Sequence, residues 1–273
     1  MTLNCKGTLI DLTTPKVMGV LNITPDSFFD GGKYKNEVDI LRQVEKMLFD
    51  GAAFIDVGAY SSKPGALHVS EEEELKRIVP VINLLIQNFP EIIISTDTFR
   101  SKVALETVGN GAAIINDISG GNLDAEMFTT VAQLKVPYIL MHMLGTPQNM
   151  QKNPVYKDVI AEIISFFAAK INQLHQLNLS DIVIDMGFGF GKTNAHNFEI
   201  LKNLSLFKSL EAPILAGLSR KSMLYKTLDI SAQEALNATT SANTIALLNG
   251  ANILRVHDVK EAVEAVKIVA QIK

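Results

Sequence analysis

Sulfhydryl chemistry is nearly missing from this chain of 273 residues, which carries one cysteine, Cys5. A single thiol excludes an internal disulfide framework and fits a reducing compartment. As a small apolar residue, Cys5 is expected to be inert. Long apolar runs are missing too, since none reaches the roughly eighteen residues that span a bilayer. The opening "MTLNCKGTLIDLTT" has neither a basic n-region nor an apolar h-region, so it does not read as a secretory signal. There is no basic stripe. Lys and Arg number 25 against 29 Asp and Glu, giving a formal net charge of -4, and a nucleic-acid footprint is not expected. No linker, low-complexity stretch or shift of composition divides the chain. These absences lead to an expectation of one soluble, cytoplasmic domain over residues 1–273, with neither nucleic acid nor membrane as partner.

What the chain does have is hydrocarbon, in short pieces. Hydrophobic residues make up 47% of it, ample for a full-sized core. β-Branched apolar runs recur at 16–22, 52–59, 91–98, 111–119, 136–143, 181–188, 212–219 and 252–258. Their hydrophobicity is continuous rather than alternating, as suits parallel strands covered on both sides. Helical patterns fall between them, at 37–50, 71–88, 101–111, 124–135, 158–176 and 232–249, with a last one from Val259. Eight alternating β and α units in about 250 residues match a (β/α)8 TIM barrel, an α/β fold. An open doubly wound sheet is the alternative, but it would carry a glycine-rich fingerprint after its first strand, where this chain has Asn-Ile-Thr-Pro. Residues 1–15 read as a short N-terminal extension, with a hairpin in "GTLIDLTTPK" capping the bottom of the barrel.

In such a barrel the chemistry sits at the C-terminal ends of the strands. Those tips carry Asn22, then Ser61, Ser62 and Lys63, then Asp97, Asn116 and Asp117, His142, Asp185, the trio Ser219, Arg220 and Lys221, and finally Arg255 and His257. Buried charges are costly unless paired or used, so polar groups at nearly every tip exceed what capping requires. They divide into two sets. Asp97, Asn116 and Asp185 are acceptors, suited to a flat heterocycle that presents an amino group and a ring N–H, with each charge-assisted bond contributing about 1.5–3 kcal/mol. Asn22, Lys63, Lys221, Arg255 and His257 supply mainly donors and positive charge, suited to phosphate. The Asn22 carbonyl could also serve as one oxygen ligand to Mg²⁺, which shares its coordination between few protein groups, waters and substrate phosphates.

The motifs "NITPDSFFDGG", "DVGAYSSKPGA", "STDTFRSKVA", "NDISGG", "DMGFGFGK", "GLSRKSML" and "RVHDV" occur in that order, one per tip. In them the chain resembles the dihydropteroate synthases, the pterin-binding TIM barrels of folate biosynthesis that sulfonamides inhibit, from residue 17 to about 260. The resemblance implies condensation of 6-hydroxymethyl-7,8-dihydropterin diphosphate with 4-aminobenzoate, giving dihydropteroate and diphosphate, with Mg²⁺ as cofactor and a homodimer formed through outer helices late in the chain. It assigns the pterin to Asp97, Asn116, Asp185, Lys221 and Arg255. The diphosphate falls to Asn22, Ser62, Lys63, Arg255 and His257, with the metal on Asn22. The aminobenzoate would be framed by Phe28, Pro64, Phe190, Ser219 and Lys221. Asp97, Asp30 and Lys221 are the expected catalytic groups, Asp97 and Asp30 acting on a pterin-methylene cation left by departing diphosphate. The family shows Gly-Glu-Ser-Thr-Arg-Pro-Gly after its second strand. This chain has Ser62 and Lys63 in place of the Thr and Arg, so it keeps the hydroxyl and the charge but loses the bidentate fork.

The first loop, from Asn22 to about Lys35, with Gly31-Gly32 and Phe28 as a hydrophobic cover, and its partner at 61–74 read as mobile lids, which are common on this kind of scaffold. Two other classes stay open on sequence: a non-catalytic pterin-binding relative, and a methyltetrahydrofolate-dependent methyltransferase working with a corrinoid partner. Several residues have plainer readings. "GFGFGKT" is not a P-loop, because the position five before Gly191 is Met186. Its glycines are expected to let the backbone turn closely, and Phe188 to be core. His142 is expected to be a hydrogen-bonded barrel histidine, Arg220 a brace, Asp56 a structural acid, and the acidic run at 71–74 a solvated helix start favoured by the helix dipole.

Overall fold

The computed structural model describes residues 1–23, 37–60, 69–150 and 153–272. The expected lids at 22–35 and 61–74 lie largely outside them. Eight parallel strands close into a barrel: β3 (Lys16–Asn22), β4 (Phe54–Gly58), β5 (Ile94–Asp97), β6 (Ile114–Asp117), β7 (Tyr138–Met141), β8 (Ile182–Asp185), β9 (Ile214–Ala216) and β10 (Ile253–Val256), with β10 pairing to both β3 and β9. Each lies within one of the apolar runs. Successive side chains on a strand point to opposite faces, and here both faces are buried. Val17, Leu21, Ile55, Val57, Ile94, Ile115, Leu140, Ile184, Leu254 and Val256 pack outward in the large core shared with the helices. Met18, Phe54, Ile114, Ile139, Val183, Leu215 and Ile253 fill the lower half of the interior. That double burial is why the runs read as continuous.

The N-terminal hairpin pairs β1 (Thr2–Cys5) with β2 (Thr8–Asp11). Its turn is Lys6-Gly7, so the hairpin begins earlier than the stretch the sequence suggested. Both turn residues have left-handed φ, 52° and 88°, as a two-residue primed turn requires. Leu3, Cys5 and Leu12 are buried against the inward residues of the barrel floor. The extension is therefore a plug. Burial, helped by the charge of Asp181, pushes the Cys5 thiol up to about 12, which agrees with an inert role.

Helices follow the strands: α1 (Glu37–Phe49), α2 (Glu71–Asn88), α3 (Ser101–Gly109), α4 (Met127–Leu134) and α5 (Val159–Gln176), then α6 (Asn194–Lys202), α7 (Ser222–Leu228), α8 (Leu236–Leu248) and α9 (Val259–Val269). Neither α6 nor α7 was expected. The α6 signal was legible as a cap, since the Thr193 hydroxyl accepts from His196 N and the His196 ring accepts from Thr193 N. Helix α8 starts four residues later than its pattern suggests. The carbonyls of Ala232 and Gln233 are instead taken by Arg220 Nη1 at 3.0 and 2.7 Å.

The acidic run at 71–74 is solvated only in part. Ser70 caps α2 by accepting from Glu73 N. Glu74, however, heads the buried stripe Glu74, Ile78, Ile82 and Leu85, because helical spacing turns it inward where its three neighbours are not. Its carboxylate is fully buried, ion-paired to Arg100 and bonded by the Thr98 hydroxyl at 2.7 Å. Arg100 also donates to the Val69 carbonyl at 2.6 Å and lies over the Phe99 and Tyr60 rings. Removing one partner of a buried pair strands the other charge. Glu74→Ala is expected to lower unfolding free energy by about 3–5 kcal/mol, read as a lower urea midpoint with an unchanged m-value.

Candidate active site

Halfway up the barrel the inward positions change from hydrocarbon to charge. Two residues beyond Phe54 comes Asp56, and beyond Ile114, Val183 and Ile253 come Asn116, Asp185 and Arg255. Asp97 ends β5 in register with Gly58 and Asn116. A Cβ at position 58 would stand 3.3 Å from Asp97 Cβ, so glycine leaves that carboxylate its space. Arg255 reaches across the mouth. Its Nε donates to Asp56 Oδ2 at 2.6 Å and its Nη2 to Asp97 Oδ2 at 2.7 Å. Asn116 Nδ2 donates to the same Asp56 oxygen at 3.0 Å. Asp56 is thus a structural acid, as expected, and the common partner of two expected pterin residues. Burial drives the Asp97 carboxyl up to about 7, against the pull of Arg255 and with the push of Asp56.

Asp117, the neighbour of Asn116, faces the other way. It is fully buried and accepts from the Tyr138 hydroxyl and from the backbone of Ser119 and Gly121. This acid at a strand tip shapes the loop after β6 and does not enter the mouth, a consequence of the two-residue alternation.

Asp185 is buried and accepts from Gly187 N at 2.8 Å. Burial raises its pKa, while the Gly187 bond and the charges of Lys221 and Arg255 oppose the rise. Lys221 lies just before α7, with its ammonium 4.3 Å from the centre of the Phe190 ring. Desolvation brings it down to about 8, with Asp185 pulling the other way. The preceding Arg220 has a left-handed φ of 54°, which is uncommon for a residue with a side chain. Its guanidinium grips Asp258 through two bonds of 2.9 Å and its N–H bonds Thr239. Arg220 therefore braces the turn that presents Lys221. Ser219 is buried and its hydroxyl accepts from His257 N at 3.2 Å, joining the loop after β9 to the end of β10. His257 is exposed as a residue, yet desolvation of its ring, with the charge of Arg255 nearby, lowers it to about 4. It is thus a neutral imidazole rather than the positive group expected. Asn22 is half-buried.

The wall beside Asp185 depends on a residue that the sequence reading passed over. Lys192 is buried, with its ammonium bonded to His142 Nδ1 at 3.0 Å and to the carbonyls of His142, Gly187 and Phe190 at 3.0–3.1 Å. Gly187 and Gly191 adopt φ of 63° and 61°, and a Cβ at either would strike a carbonyl of the loop after β7, 2.0 Å from His142 O or 2.6 Å from Leu144 O. The glycines bring the two loops together and Lys192 ties them. Desolvation lowers Lys192 to about 7, and desolvation with the Lys192 charge takes His142 down to about 2. The ring is therefore neutral, accepting at Nδ1 as the bond requires. His142 is a bonded barrel histidine, and Phe188 is core, as expected. Phe190 packs with Phe99 against Ile118, Met141, Met143 and Met150. Only the position of Met141, in register with Asp185, could have flagged that apolar wall.

Asp97, Asn116, Asp185, Lys221, Phe190, Ser219 and Arg255 thus gather around one mouth. Phe28, Asp30, Ser62, Lys63 and Pro64 lie outside the described residues. Among the described residues no group of three His, Cys, Asp or Glu is placed to hold a metal, and no helix is long and apolar enough to cross a membrane.

A charged mouth on a closed parallel barrel is the setting of an enzyme, and comparison with known proteins says which. The sequence matches the family of pterin binding enzymes over residues 18–257. It is 43% identical to the dihydropteroate synthase of Escherichia coli K12 over 275 residues, covering 98% of this chain and 95% of that one. Two structures of the Xanthomonas albilineans dihydropteroate synthase superpose closely. The one with 4-aminobenzoic acid has TM-score 0.91 at 35% identity, covering 99% of this chain and 97% of the other. The one with 7,8-dihydropteroate has TM-score 0.88 at 33% identity, covering 100% and 98%. The chain belongs to the pterin-binding enzymes and, among them, to the dihydropteroate synthases, which are transferases.

The Lys192 tie can be tested without substrate. Lys192→Met leaves three carbonyls and an imidazole nitrogen without their donor. It is expected to cost about 1–3 kcal/mol of stability, measured by urea denaturation.

Proposed function

We propose that the protein joins 6-hydroxymethyl-7,8-dihydropterin diphosphate to 4-aminobenzoate, forming 7,8-dihydropteroate and releasing diphosphate. The observation that carries this reading is the meeting of two chemical sets in one mouth. Asp97, Asn116 and Asp185 offer acceptors to the amino and ring N–H groups of a pterin, while Arg255 and Lys221 bring positive charge alongside them. The ligands of the Xanthomonas albilineans enzyme, an aminobenzoate and a dihydropteroate, are a substrate and the product of that reaction.

In this reading Arg255 has a double task. Its Nε and Nη2 are held by carboxylates, leaving Nη1 to meet the diphosphate with His257, Ser62 and Lys63. Asn22 is the residue that would hold Mg²⁺. One neutral oxygen fits an ion that comes mainly on the substrate phosphates, and no described carboxylate cluster offers it a fuller cage. Such an ion would supply neutralisation of the charge that develops on departing diphosphate. Asp97, ionised, faces the pterin and stabilises the cation that departure leaves on the methylene, with Asp30 as its helper. The aniline nitrogen of 4-aminobenzoate is a weak nucleophile, so an electrophile formed in a shielded site suits it. Phe190, Ser219 and Lys221, with Phe28 and Pro64, frame that second substrate. We place a second copy of the chain against the late helices, where Leu228, Ile245 and Leu248 are exposed. A cytoplasmic setting fits the single, buried thiol.

The test is diphosphate release from dihydropterin diphosphate and Mg²⁺, with and without 4-aminobenzoate. Release coupled to dihydropteroate formation is expected; tight pterin binding with no release would make the protein a non-catalytic relative.

The pH dependence follows from the carboxyl and the lysine. Asp97 can accept two ring donors side by side, and with charge assistance, only when ionised, so dihydropterin affinity should rise with pH through about 7. It should decline above about 8 as Lys221 loses its proton. Asp97→Asn should flatten the acid limb and leave the alkaline one, a difference visible in binding titrations between pH 5.5 and 9 (both limits approximate).

A further inference from the structure

We infer that Asp56 is a positioning residue that fixes the hydrogen-bonding sense of Asn116 and the aim of Arg255 through one carboxylate oxygen. A carboxylate can only accept. Because Asp56 Oδ2 stands 3.0 Å from the end of the Asn116 amide, that end must be the NH₂ group. The other end, Oδ1, is thereby assigned to the ligand as an acceptor. Without Asp56 the amide could turn over and present donors to a ring that also presents donors.

The same oxygen takes Arg255 Nε at 2.6 Å. Nη2 is fixed independently on Asp97, so the guanidinium is pinned along one edge and Nη1 is the nitrogen left for an anion. Asp56 has no exposed surface, and its second oxygen, Oδ1, is buried without a partner among the described residues. Among the described residues its side-chain hydrogen bonding therefore passes through Oδ2. The register explains how it reaches both partners. Asp56 lies on β4, Asn116 on β6 two strands away, and Arg255 on β10, on the far side of β3. Asp56 thus links the group that reads the heterocycle to the group that meets the leaving diphosphate. It touches neither ligand in this assignment.

The inference rests on the proposed reaction, and its test keeps the two apart by reading binding of phosphate-free 6-hydroxymethyl-7,8-dihydropterin as well as turnover. If wild-type protein binds the pterin but forms no dihydropteroate, the reaction is wrong and the Asp56 assignment is still measurable. Asp56→Ala is expected to weaken pterin binding by about tenfold or more, the loss typical of an unmade buried bond. Asp56→Asn, whose amide oxygen can accept from both partners in the same place, should stay within about threefold of wild type. Asn116→Asp should also bind the pterin at least about tenfold more weakly, although a carboxylate is a better acceptor, because it would face Asp56. In an Asn116→Ala background, adding Asp56→Ala should cause a clearly smaller loss than it does alone. Circular dichroism and thermal melting report folding separately.

Three results would overturn the inference: a folded Asp56→Ala that binds as wild type, an Asp56→Asn as weak as the alanine variant, or an Asn116→Asp that binds equally or more tightly. Should Asp56→Ala fail to fold, the asparagine variant and Asn116→Asp still decide it.

Discussion

Three carboxylates, Asp56, Asp97 and Asp185, crowd the mouth of a barrel whose lower half is packed hydrocarbon. Taking even one charge out of water costs several kcal/mol after relaxation, and like charges add repulsion. What makes the arrangement tenable is Arg255, a guanidinium always charged and flat enough to meet two acids along one edge. Lysine could not do this, because its ammonium has no fixed fork. Arg255 meets Asp56 and Asp97 directly, and Asp56 in turn takes the amide of Asn116. Arg255 and the acids are components of one electrostatic unit.

That unit depends in turn on rigidity beneath and beside it. The hairpin plug closes the barrel floor with Leu3, Cys5 and Leu12, so the interior is continuous packing up to the first charge. On the rim, three ties hold the loops in place. Glu74 and Arg100 fix the start of α2, Lys192 joins the loops after β7 and β8, and Arg220 with Asp258 sets the turn before α7. Each tie is a buried or half-buried cation satisfied by several acceptors. Binding groups held this way need little reorganisation when a ligand arrives, which is where electrostatic catalysis gains its advantage.

Much of this was legible in the sequence, for reasons that particular residues show. The eight strands could be read because double burial makes each a short unbroken apolar run. The site acids could be read because a charge ending such a run has few structural excuses. Asp117 shows the limit of that argument, since the run alone does not say which of two adjacent polar residues faces inward. Glu74 was hidden inside a run of four identical residues, and only helical phase against Ile78 and Ile82 separates it from Glu73. Lys192 was masked by its setting in "GFGFGKT", where glycines draw attention to phosphate and away from a lysine that binds carbonyls. Helix α7 was missed because its seven residues show too few turns for a periodic pattern, and α6 because its buried face is only Asn197, Ile200 and Leu201, one of them polar. Asp56 could be read as a structural acid but its partners could not be named, because they lie 60 and 199 residues away in the chain.

Asn116 and Asp117 are chain neighbours with opposite destinations, one in the mouth and one under the helices. A strand's side-chain period is two, so displacing β6 by one residue would exchange them. A carboxylate would enter the mouth opposite Asp56, and an amide would replace the acid that holds Tyr138 and the turn at Gly121. Similar exchanges await every strand whose inward column changes from hydrocarbon to charge. Descent within such a barrel can therefore exchange the hydrocarbon letters of a strand for one another far more easily than it can alter the spacing. By the same rule a gain or loss of one residue is tolerable in the loops and outer helices, so the lengths from one strand to the next are the part of the chain with room to grow.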